Sequence, residues 1–164
     1  MTKTKFLFAL FCLTVFVSSC KAQSKDKINL SKIIFHSSRC NGTCPKIDLE
    51  IDSSKNLFVD REYFKTKSET DKRFSGQYKG VLSQQDFDKL LGLLLSSNID
   101  KLKFPKSDLM DGVGITIIVY YNGQRKYLTS PEPPNEANDL IQFLTSLGHN
   151  KKLQRTNETK NIEN

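Results

Sequence analysis

Cys40 and Cys44 flank Asn41-Gly42-Thr43 and are followed at once by Pro45, a spacing that serves either a disulfide or a metal. Extended chain would hold the two Cα atoms about 13 Å apart, whereas a bridge tolerates at most about 7 Å. The loop therefore has to fold back on itself, and Gly42 at its centre allows that. Closing so small a ring stabilises by roughly 2 kcal/mol in the chain-entropy model, the scale of a structural staple. The competing chemistry is thiol redox, or copper or zinc binding with His36 as a third ligand beside Cys40 and Cys44. Reactive thiols of that kind sit where a strand meets a helix N-terminus, whose dipole lowers their pKa. Here Cys44-Pro45 runs straight into an alternating strand, and His149, the other histidine of the chain, lies near the polar C-terminal end. The pattern favours a Cys40–Cys44 disulfide and implies no cofactor.

A carboxylate pair, Asp108 and Asp111, flanks Leu109-Met110 ahead of Gly112-Val113-Gly114. Hydrolytic or divalent-cation chemistry would start from such a pair. Lacking a histidine or a cleft signature beside it, the loop reads as a solvated turn. The two glycines lack the third glycine and the preceding strand of a dinucleotide loop. No G-x-S-x-G, H-E-x-x-H, Walker or EF-hand pattern is present, so no catalytic residue is assigned and an enzyme is not expected.

The remaining two cysteines lie at the start of the chain. Lys3 and Lys5 precede an apolar run from Phe6 to Val17 that contains Cys12, the charge-then-apolar order of an export signal. A helix of about twelve residues reaches about 18 Å, short of the roughly 30 Å of a hydrocarbon core. Val17-Ser18-Ser19-Cys20 then resembles a bacterial lipobox, in which the cysteine is lipidated and becomes the new first residue. Ordinary cleavage after Ala22, giving a secreted protein, is the alternative. Two or three acyl chains on Cys20 would hold the protein to a membrane, facing the periplasm or the cell surface. Removing the signal lowers the formal charge by two from +7. The remaining basic residues are spread without a stripe, and nucleic acid is not expected as a partner.

The elements that must position these residues are legible from periodicity. Ile33 to His36 reads as a strand leading into the cysteine loop, and Ile47, Leu49 and Ile51 alternate with Asp48, Glu50 and Asp52. Ser53 to Asn56 forms a turn, and Leu57 to Phe64 returns with Leu57, Val59 and Tyr63 on one face. Phe74 to Leu82 is a further strand. Ser83 caps a helix carrying Phe87, Leu90, Leu91 and Leu94, with Asp86 three positions after the cap. Ile115 to Tyr121 and Gln124 to Thr129 make a hairpin, because Asn122-Gly123 supplies the two positive-φ residues of a type I′ turn. Pro131, Pro133 and Pro134 open a second helix with Ala137, Leu140, Ile141, Leu144 and Leu147 inward and Gly148 at its end. The expected fold is α+β: an antiparallel or mixed sheet of about five to six strands with two helices on one face. The expected organisation is a signal peptide over 1–19, a tether over 20–32, one domain over 33–148 and a disordered tail over 149–164.

Cys40-x-Gly42-x-Cys44-Pro45, the strand Ile47-Asp-Leu-Glu-Ile51 and the later order of helix, Asp111 loop, hairpin and proline-led helix resemble domain of unknown function 6438. That family is found largely in lipoproteins of the Bacteroidetes. The chain differs from it at Ile47, where the family often has an aromatic residue, and at Gly112 to Gly114, where it often has proline and threonine. The resemblance implies an envelope compartment and an architecture, and it brings no activity. Together these readings describe an envelope lipoprotein with a non-enzymatic binding or structural domain, whose partners are the membrane and an envelope protein or glycan. The alternative is a periplasmic thiol-redox or metal-binding protein.

Overall fold

A computed structural model describes residues 27–107 and 112–164. The strands are β1 Leu30–Ser37, β2 Lys46–Asp52, β3 Asn56–Glu62, β4 Gly76–Val81, β5 Ile115–Tyr121, β6 Gln124–Ser130 and β7 Gln154–Arg155. The helices are α1 Gln84–Ser96 and α2 Asn138–Gly148, the latter preceded by a 3-10 turn at Asn135–Ala137. The strands make one sheet in the order β6-β5-β1-β2-β3-β4-β7, with every neighbouring pair antiparallel.

Sequence dictates which face each strand buries. In β1 the run Ile33-Ile34-Phe35 is unbroken, so the strand is apolar on both sides and takes a position inside the sheet, between β2 and β5. In β2 the alternation is clean: Ile47, Leu49 and Ile51 face the helices, and Asp48, Glu50 and Asp52 face the other way. Leu90 and Leu94 of α1 and Leu140, Leu144 and Leu147 of α2 complete the main core against Ile33, Phe35, Leu49, Val59, Ile117 and Val119. Among the described residues no helix is long and apolar enough to cross a membrane.

Local signals act as expected. The Ser83 hydroxyl accepts from the Asp86 N–H at 3.0 Å and caps α1. Asn122 and Gly123 have φ of 50° and 76°, the left-handed pair a tight hairpin needs. In the β2–β3 turn the Asp52 carboxylate accepts from the N–H groups of Ser54 and Asn56, and Lys55 takes φ of 68°.

Two expectations need correction. The sheet has seven strands rather than five to six, because residues 149–164 are not structureless: they supply β7 and then cross the sheet. Ile162 is the physical reason for the crossing, since this aliphatic residue in a largely polar stretch finds Ile34, Phe58 and Ile118 on the face the helices leave open. The folded unit also starts earlier than residue 33, because Ile28 and Leu30 are buried. Gly148 ends the second helix as its position implies. It is the last residue of α2, with His149 in right-handed geometry as the cap, and glycine is required because a Cβ would lie 2.5 Å from Ile47 Cγ2.

Candidate functional site at the disulfide end of the sheet

β1 ends at Ser37, and the turn to β2 is closed by a Cys40–Cys44 disulfide with the two Cα atoms 5.4 Å apart. The Cys44 N–H points at Cys40 Sγ, 3.3 Å away, and a Cβ on Gly42 would come as close to the same sulfur. Glycine thus fits the inside of the ring. Next to it Ser38 docks the chain that leads into β5: its N–H donates to the Gly114 carbonyl at 2.8 Å, and its hydroxyl accepts from the Gly114 N–H at 2.7 Å. Asp108 and Asp111 lie outside the described residues, as does Cys20.

The β3–β4 connection forms the other wall of this end. The Arg39 guanidinium stacks over Phe64 with 4.2 Å to the ring centre, and Lys67 reaches the Asn41 side chain at 3.4 Å. Farther along, the Arg73 guanidinium grips Asp71 through two hydrogen bonds, of 3.0 and 2.6 Å, and holds its carboxyl down at about 2. Arg73 also lies 5.3 Å from the centre of the Phe74 ring, and Phe74 is exposed.

Behind this surface, on the helix side, Arg61 is buried with no carboxylate partner among the described residues. Its charge is instead shared among carbonyls: Nη1 donates to Gly148 O at 2.7 Å and Asn150 O at 3.3 Å, and Nε donates to Phe74 O at 3.2 Å. The guanidinium lies 3.9 Å from the Tyr78 ring centre. It therefore closes the C-terminus of α2, where unpaired carbonyls and the helix dipole both favour a cation. Tyr63 hydrogen-bonds His149 Nδ1 beside it. Burial, reinforced by the Arg61 charge, holds the His149 imidazole below its ordinary 6.5, and burial pushes the Tyr63 phenol up. A neutral His149 accepting from the Tyr63 hydroxyl satisfies both groups.

The proposed metal set does not converge. Both sulfurs are used in the bridge, and His36 is on the opposite face of the sheet from the core. Its Nδ1 is 2.7 Å from Asp48 Oδ1 and its Nε2 is 2.7 Å from the Glu163 carbonyl. Burial alone would raise the Asp48 carboxyl, but hydrogen bonds from His36 and Lys46 outweigh it and hold the carboxyl below the usual range. Among the described residues no three of histidine, cysteine, aspartate and glutamate gather as a metal-binding group.

Sequence reasoning found the cysteine pair and missed Arg61, the Tyr63–His149 contact and the cross-strand His36–Asp48 pair. One signal was present: Arg61 occupies an inward position in the alternation of Leu57, Val59 and Tyr63.

Fold and site together define a small α+β domain: an antiparallel sheet with two helices on one face and a disulfide-stapled loop at one end. The chain belongs to the family described as domain of unknown function (DUF6438), whose model matches residues 31–148. Among curated proteins none matches the chain.

Proposed function

We propose that the chain is a cell-envelope lipoprotein, anchored through lipid on Cys20, whose domain is a non-enzymatic binding module for a protein or glycan partner. The observation that carries this reading is the direction of β1. At its start the Asn29 N–H donates to Asn122 Oδ1 at 2.9 Å, so the chain enters the domain beside the β5–β6 turn. The disulfide loop closes the opposite end, about 25 Å along an eight-residue strand. A tether attached at the entry would direct the stapled end away from the membrane.

Two further observations support it. A disulfide suits an oxidising compartment outside the cytoplasm. The stapled end interleaves cations with aromatic rings, Arg39 on Phe64 and Arg73 on Phe74, a surface that suits acidic or sugar groups.

The test uses membrane-purified protein, alkylated before any reduction, with the peptide holding Cys40 and Cys44 then weighed. Bridged, unreactive cysteines are expected, and two alkylated thiols would turn the reading toward metal or redox chemistry. Cys20→Ser is expected to move the protein into the soluble fraction. A variant that stays with the membrane would remove the lipid anchor from the account.

A further inference from the structure

Residues 156–164 leave β7 and cross the sheet face opposite the helices. Thr156 N–H donates to Gln77 O at 2.9 Å, Lys79 meets Glu158 at 3.2 Å and Lys160 meets Glu50 at 2.7 Å. Ile162 is 7 % exposed among Ile34, Phe58 and Ile118, with Tyr120 alongside. Next to it the Glu163 carboxylate is gripped from three strands. The Tyr120 hydroxyl lies 2.8 Å from each oxygen, Arg125 Nη2 is 3.0 Å from Oε1, and Lys32 Nζ is 3.4 Å from Oε2. The Glu163 carbonyl takes the His36 Nε2 contact described above.

We propose that this face is a docking surface for an extended peptide segment in which an aliphatic side chain is followed directly by a carboxylate, and that residues 156–164 are its internal occupant. Recognition of that pair is built into the sheet. An apolar seat lies beside a clamp of one phenol, one guanidinium and one ammonium group, complementary in charge to a single carboxylate. Every residue of seat and clamp falls within the family match of 31–148, and the occupant falls outside it. The occupant also fills the face incompletely. A cavity of about 420 Å³ lies beside its start, against Phe58 and Lys79, and one of about 160 Å³ beside its end, against His36 and Asp48. It is joined to the sheet by β7, which pairs with β4 at only Tyr78 and Lys79. A partner segment of an envelope protein with the same aliphatic and acidic pair can take the place by exchange. This surface is separate from the disulfide end, so its test does not depend on the role of that end.

The experiment uses the full chain carrying Ile162→Asp and Glu163→Lys, which removes the occupant from its seat without shortening the protein. The probe is a synthetic peptide with the sequence of residues 156–164, and a control peptide carries the same two substitutions. The substituted chain is expected to bind the native peptide at least about tenfold more tightly than the unsubstituted chain, whose tethered occupant competes at high effective concentration, and to ignore the control. A folded substituted chain that binds neither peptide, or both equally, overturns the proposal and leaves 156–164 as a structural strap. Should the substitutions unfold the chain, hydrogen exchange on the unsubstituted protein decides. Excess native peptide must accelerate exchange in residues 157–164, and unchanged exchange overturns the proposal.

Discussion

His149 ties the stability of the fold to acid, and Arg61 does not. The His149 imidazole is held below 6.5 in the folded chain, so the unfolded chain binds more protons as pH falls through that region. Its contribution is therefore complete above the unfolded value and is lost as pH drops through the folded one, when protonated Nδ1 can no longer accept from Tyr63. Thermal denaturation is expected to show a falling midpoint between about pH 7 and pH 5. His149→Phe should flatten that slope, and a parallel slope in the variant would remove His149 as its source. Arg61 has no such sensitivity, because its guanidinium keeps its charge throughout. Arg61→Ala strips the α2 terminus of its cation and leaves the buried Gly148 carbonyl without that donor, an expected loss of about 2–4 kcal/mol in urea unfolding. A loss under about 0.5 kcal/mol, the level of an ordinary surface substitution, would contradict that role. The role of neither residue was legible in the sequence. A single arginine in an alternating strand gives its face but not the helix end it will meet.

Between elements, α2 comes close to β2 at Gly148, where an added Cβ would lie 2.5 Å from Ile47 Cγ2. Gly148 lacks a positive φ, so alanine there meets no backbone objection; the obstacle is Ile47 alone. Gly148→Ala is expected to cost about 1–3 kcal/mol by overpacking. In an Ile47→Ala background the added methyl has room, and the same substitution should then cost almost nothing. Equal costs in both backgrounds would mean that helix and strand do not meet where the structure places them. Most elements were readable because their signals are local. Alternation in β2, the Ser83 cap and the Asn122-Gly123 turn each specify structure within a few residues. The approach of α2 to β2 is not local. Glycine at position 148 looked like a helix stop, and only the partner strand reveals it as a point of contact. The two-residue β7 was illegible for the same reason, since it pairs with β4 from more than seventy residues away.

For the molecule as a whole, the C-terminal segment changes what kind of sheet this is. Helices cover one side, and a single crossing strap covers the other, so both faces of β1 are buried as its unbroken apolar run requires. The sequence carried that requirement in Ile33-Ile34-Phe35, yet nothing nearby named the partner for Ile34. That partner is Ile162, 128 positions later. The cysteine pair was legible as a staple, and the side of the domain it occupies was not, because that depends on which way β1 runs. The direction of β1 has a mechanical consequence as well. A pull applied between the entry at Asn29 and the stapled end acts along the strand axis. β1 is flanked on both sides, by β2 and β5, so such a load is shared by both ladders at once and acts on them in shear. Hairpins pulled open at their ends unzip bond by bond, whereas ladders in shear yield together. A domain held at one end and gripped at the other would therefore resist traction far better than its modest size suggests.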